Sequence, residues 1–127
     1  MRIISMSLEE KLLEDIGRLQ KELGFSGRSE VIRVALRMLL ADKKARSKLH
    51  GTLDAILLVI HQDVYSPDVS AIRHAYGKII KTQIHNHLAS SKCLEIFVLK
   101  GDAHSVKKLA DEFQRNRKIE FVKLVVS

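Results

Sequence analysis

The chain has 127 residues, 46% of them apolar, and a formal net charge of +7. That length bounds it to one or two small domains, with enough apolar residues for a core. No apolar run reaches the ~20 residues of a membrane helix, the N-terminus lacks a signal peptide's apolar stretch, and one cysteine excludes an intrachain disulfide; a cytoplasmic protein with an anionic partner is expected.

Arg2 to Leu8 alternates, with Ile4, Met6 and Leu8 on one side and Ile3, Ser5 and Ser7 on the other, which predicts a short strand. Ser7-Leu8-Glu9-Glu10 fits a capping box, with Ser7 as N-cap. Leu12, Ile16, Leu19 and Leu23 then recur at helical spacing until Gly24 stops the helix. After the turn Phe25-Ser26-Gly27, a second helix is predicted from near Arg28 to about Lys44, with Val31, Ile32, Ala35, Met38 and Leu39 apolar. One strand and two amphipathic helices cannot enclose a core in about 45 residues. A dimer whose N-terminal strands pair antiparallel is therefore expected. Its two-stranded ribbon would present Ile3, Ser5 and Ser7 of each chain, in a shape that enters a DNA major groove. The amides at Arg28 would hold a phosphate. A helical hairpin that merely dimerises fits the same pattern. The order of elements, with Arg28-Ser29-Glu30-Val31-Ile32-Arg33 opening the second helix, resembles the ribbon-helix-helix repressors.

Lys43, Lys44, Arg46 and Lys48 lead to Gly51 and read as a linker between units 1–48 and 51–127; the charges are either a solvated face or phosphate contacts. The second unit opens with a strand, Thr52 to His61. Pro67 stands near the start of a helix from about Asp68 to Ile80, with Val69, Ile72, Tyr76 and Ile79 apolar. Lys81 to Lys100 reads as a β-hairpin about Ala89-Ser90-Ser91-Lys92. Gly101-Asp102 opens a helix over Ala103 to Arg115 with Val106, Leu109, Ala110 and Phe113 inward, and Glu120 to Val126 closes as a strand. The order is βαββαβ, an α+β, ferredoxin-like arrangement.

Along the hairpin, Ile84, Leu88, Leu94, Ile96 and Val98 alternate with His85, His87, Cys93 and Glu95. With the turn centred near Ser90, His87 faces Cys93, at the ~4.5–5.5 Å Cβ separation of cross-strand partners. Two imidazoles and a thiolate at that distance can bind a late transition metal. Two solvated histidines and a small buried thiol are the alternative. Both helices must cover one sheet face, so the hairpin's aliphatics are placed on that face and His85, His87 and Cys93 on the open one. His74, on the first helix of this unit, then lies on the wrong side of its own sheet, and a neighbouring subunit's set is the one within its reach. His61 ends a strand as a minor ligand or none. His50 and His104 look like linker and helix-start residues.

The chain resembles the NikR family of nickel-responsive repressors over nearly its whole length. The family's ligands occur as His74, then His85 and His87, then Cys93, with the family's spacing, and the run from Cys93 to Asp102 is also similar. The resemblance implies a ribbon-helix-helix DNA-binding domain, with Ile3, Ser5, Ser7 and Arg28 at the DNA, followed by an ACT-like metal-binding and tetramerisation domain. It implies Ni(II) in a planar site with three ligands from one chain and His74 from another. It also implies a homotetramer on a double-stranded DNA operator, repressing nickel uptake, with operator affinity controlled by Ni(II). Two departures stand out. Ile3 occupies a position where the family often has arginine, and Val34 one where it often has an acid, which puts a secondary cation site at Glu30 in doubt. The competing reading is a regulator whose ACT-like domain senses another metal or a small molecule such as an amino acid. An enzyme using Cys93 with His85 or His87 lacks an acidic orienter and an oxyanion donor, so no enzymatic activity is expected.

Overall fold

Leucine spacing and a terminating glycine make the first element a helix. In the computed structural model, which describes Met1–Ser127, α1 spans Glu10–Leu23 and ends at Gly24, whose left-handed backbone (φ 72°) lets its N–H bond the Gln20 carbonyl. The predicted strand before α1 is absent: residues 1–9 have no regular structure, because a lone strand has no backbone partner. The expected capping box is absent too. The helix begins one residue after Glu9, the N-cap, which makes no side-chain cap bond, so Ser7 stands too early to serve.

The second helix, α2, spans Arg28–Ser47. It runs past the predicted end near Lys44 and takes in Arg46 of the segment read as a linker. The stretch from Ala41 to Arg46 contains no glycine or proline and mostly strong helix formers, and Asp42 pairs with Arg46 one turn on. Only Ile16 and Val31 are buried in these helices, while Leu12, Leu19, Leu36 and Leu39 remain exposed.

The chain divides into two compact units, Met1–Lys48 and Leu49–Ser127. The second contains β1 (Thr52–Gln62), a short 3-10 turn (Asp63–Tyr65), α3 (Ser66–Ala75), β2 (Ile80–Leu88), β3 (Lys92–Asp102), α4 (Ala103–Arg115) and β4 (Ile119–Val126). The βαββαβ order holds. The strands form one antiparallel sheet in the order β2-β3-β1-β4. α3 is shorter than its apolar spacing predicts. Its last turn breaks at Tyr76-Gly77, and Ile79 leaves the helix so that its carbonyl accepts from the Lys100 N–H. α4 has the predicted bounds, capped by Asp102, whose carboxylate accepts from the Ser105 N–H at 3.0 Å.

The assignment of sheet faces is inverted relative to the sequence reading. α3 and α4 cover the face of Leu57, Val59, Phe97 and Leu99, which meet Val69, Ile72, Val106, Leu109 and Phe113 in the core. Cys93 and Glu95 share that parity and are buried, whereas Ile84, Leu88 and Val98 lie exposed on the open face. The reason is that β1 and β3 are apolar on both faces, so alternation alone cannot choose between them. The face that carries Phe97, stacked on Phe113 with ring centroids 5.7 Å apart, is the one the helices bury. No helix is long and apolar enough to cross a membrane. Replacing Phe113 with alanine would empty the centre of this core and is expected to cost about 3–5 kcal/mol, read from denaturant unfolding of the full chain.

Candidate metal centre

The hairpin turn sets the site. Ala89-Ser90-Ser91 reverses the chain with Ser90 and Ser91 both in left-handed backbone (φ 62° and 58°). The register that follows pairs His87 with Cys93 and His85 with Glu95. The expected juxtaposition of His87 and Cys93 is therefore present, with Cys93 Sγ 3.7 Å from His87 Nδ1. One ligand atom each from His85, His87 and Cys93 lies within 4.8 Å of the others, the two histidines exposed and the cysteine buried. The trio occupies the helix-covered side of the sheet, at the margin where that cover ends.

The buried carboxylate of Glu95 organises the first histidine. Its Oε2 lies 2.7 Å from His85 Nδ1 and 2.8 Å from His61 Nε2, and its Oε1 accepts from Gln83 at 2.8 Å. An ionised carboxylate only accepts, so Nδ1 of His85 carries the hydrogen and Nε2 is left for a ligand. This is the outer-shell arrangement that orients metal-binding histidines. His61, fully buried, also faces the Gln62 carbonyl oxygen at 2.7 Å through Nδ1. Each of its nitrogens is occupied, so it is a partner of Glu95, not a ligand. Sequence reasoning missed this role, although the alternation that pairs His87 with Cys93 also pairs His85 with Glu95.

Around the sulfur, Asp63 Oδ1 lies 3.4 Å from Sγ. The Ser66 hydroxyl is buried with no hydrogen-bond partner. Burial, and then the Asp63 carboxylate, push the Cys93 thiol above its ordinary pKa, and Ser66 opposes them.

His74 is not part of this cluster. The sequence reading placed it across the sheet from the trio. It lies on the same side, on α3, but in the helix's last turn, exposed in a groove with Tyr76, His104 and Lys108. The start of α3, at Ser66, is the end near Cys93, roughly 12 Å away along the axis. His50 and His104 are likewise outside the trio. In the N-terminal unit Ile3, Ser5, Ser7 and Arg28 are all exposed. The Glu30 carboxylate is bound to Arg33 at 2.8 Å, which holds it below the usual carboxylate range.

An N,N,S donor set fits nickel, copper or zinc and not a hard cation. Two family models match the chain. The C-terminal nickel-binding domain of NikR matches residues 55–127, and the ribbon-helix-helix protein of the copG family matches residues 2–43. The chain belongs to the NikR family. A "Putative nickel-responsive regulator" of Methanococcus maripaludis is 35% identical over 97% of this chain and 89% of its own length. Proteins of the same name from Methanothrix thermoacetophila and Geobacter metallireducens are 30% and 32% identical, over 98% and 96% of this chain and 91% and 89% of theirs. An uncharacterized protein from Thermotoga maritima shares the fold, with a TM-score of 0.55 at 18% identity over 60% of this chain and 98% of its own. The chain is thus a nickel-responsive ribbon-helix-helix transcriptional regulator of the NikR family and not an enzyme. The trio lies within the residues matched by the nickel-binding domain, and its donor atoms are close enough together to hold a metal ion. When bound, Ni(II) would draw the Cys93 thiolate and the two imidazoles into one coordination sphere.

Two outcomes follow from this geometry. Glu95→Gln weakens the hold on His85 and is expected to lower Ni(II) affinity roughly 10- to 100-fold, read by competition with a chelator. Because the thiol's pKa is raised, it is protonated at neutral pH and must lose its proton to bind metal. Apparent Ni(II) affinity is therefore expected to climb with pH, by about tenfold per unit below the thiol pKa, and a Cys93→Ala titration removes that slope.

Proposed function

We propose that this regulator works as a homotetramer: two ribbon-helix-helix dimers joined through their C-terminal domains, repressing nickel-uptake genes in the cytoplasm when Ni(II) is bound. The apolar surface left open in one chain carries this reading. In the N-terminal unit, Ile4, Met6, Leu12, Leu19, Leu36 and Leu39 are exposed along the segment and the two helices. Such a stripe is buried when two copies pair their first segments as a β-ribbon. In the C-terminal unit, the open sheet face exposes Ile56, Ile84, Val98 and Val125. A second sheet laid on that face covers them.

Pairing also gives His74 a role. It is exposed and lies too far along α3 for its own trio, so the partner subunit's His74 is the third nitrogen and fourth ligand of a planar N,N,N,S site, a geometry suited to Ni(II). A metal ion held across a subunit boundary favours one arrangement of the DNA-binding dimers, and differential stabilisation of this kind is how a ligand changes affinity at a distant site.

At the operator, Ile3, Ser5 and Ser7 of the ribbon meet base edges. Arg28 and the α2 lysines Lys43 and Lys44 meet phosphates. Ser5→Ala and Ser7→Ala are expected to cost on the order of 1–3 kcal/mol on the specific site and leave non-specific binding almost unchanged. Lys43→Ala weakens both and flattens the salt dependence. Nickel is expected to tighten specific binding by about 1–3 kcal/mol. Footprinting of the chain's own upstream region with apo and nickel-loaded protein decides the matter. Equal protection in both states would remove the nickel control, and no protection in either would remove the operator reading.

A further inference from the structure

Two carboxylates approach the trio, and they differ in what they touch. Glu95 is buried and engaged by His61, His85 and Gln83. Asp63 is exposed, and its oxygen contacts the sulfur itself at 3.4 Å. Its place is built: β1 pairs His61 with Cys93, and two residues later the Asp63 N–H bonds the Ser91 carbonyl at 2.8 Å, pinning the start of the 3-10 turn to the hairpin that carries Cys93.

We propose that Asp63 is a fourth donor to the His85, His87 and Cys93 set, giving each chain a self-contained N,N,S,O site for a zinc-type divalent cation. The assignment of Asp63 rests on the trio being the metal-ligating set and not on the DNA part of the functional reading; the selectivity drawn from it also rests on the proposed sharing of His74 between subunits. Zinc takes imidazole, thiolate and carboxylate ligands at about 2.0–2.3 Å in a tetrahedron. With those bond lengths a tetrahedron puts sulfur about 3.6 Å from each neighbouring donor, whereas a square plane puts it about 3.1 Å away. At Cys93 the Asp63 carboxylate, which accepts the thiol's hydrogen bond, and His87 Nδ1 stand 3.4 Å and 3.7 Å from the sulfur, within reach of one shared ion. Asp63 stands outside the group of three that lie within 4.8 Å of one another; an exposed aspartate closes such a gap by changing rotamer. The consequence is selectivity by geometry. A cation completed by Asp63 has no vacancy for the partner subunit's His74 and does not tie two subunits together, so the same trio distinguishes a zinc-type ion from one that prefers a plane.

The test uses the full-length protein and four variants: Asp63→Asn, Asp63→Ala, His74→Ala and Cys93→Ala. Zn(II) affinity is measured by chelator competition, and Co(II), whose visible bands report tetrahedral coordination, serves as the optical probe. Both Asp63 variants are expected to lose about 10-fold or more in Zn(II) affinity and to change the Co(II) bands, with the Ni(II) spectrum retained. His74→Ala is expected to do the reverse. Unchanged Zn(II) affinity and Co(II) bands in both Asp63 variants would overturn the assignment while leaving the trio in place. Retention of both metals in Cys93→Ala would overturn the trio, and this proposal with it.

Discussion

The packing of Phe97 against Phe113 governs the C-terminal unit. Once that pair is buried, the parity of β3 is settled, and Cys93 and Glu95 must enter the covered side with it. A thiol and a carboxylate are thereby carried to the margin of an apolar core. There both are shielded from water, with the exposed histidines His85 and His87 beside them. Burial makes the thiol reluctant to ionise, so the site discriminates in favour of ions that bind sulfur strongly enough to displace its proton.

The cost of burying Glu95 is offset locally. An unpaired carboxylate in that position would be strongly destabilising, but three side chains from β1 and β2 approach its two oxygens. The same contacts hold the His85 ring in the orientation a ligand needs. Stability and metal binding thus depend on one network, and His61, which the sequence leaves as a minor ligand or none, is one of its fixed points.

Each unit of the chain is incomplete alone in a different way. The N-terminal unit has helices but no sheet, and its first segment has no backbone partner within the chain. The C-terminal unit has a closed core on one side of its sheet and an apolar surface on the other. Both exposed surfaces are the ones that the proposed pairing of copies would cover.

Local chemistry was legible in the linear chain. The period-2 alternation and polar turn of residues 81–100 determined the hairpin and the pairing of His87 with Cys93, because register follows from turn position. Helical spacing and Gly24 determined α1, and Asp102 and the inward set of α4 determined its bounds. What required the tertiary structure was every choice between two equally apolar alternatives. The sheet face of the trio could not be read, because β1 and β3 offer aliphatics on both sides and only the packing of α3 and α4 breaks the tie. The position of His74 could not be read either, since it depends on where α3 ends and not on which face it covers. The contacts of Asp63 and His61 with residues some thirty positions away exist only because β1 lies between β3 and β4, a strand order that places the end of β1 beside the hairpin turn.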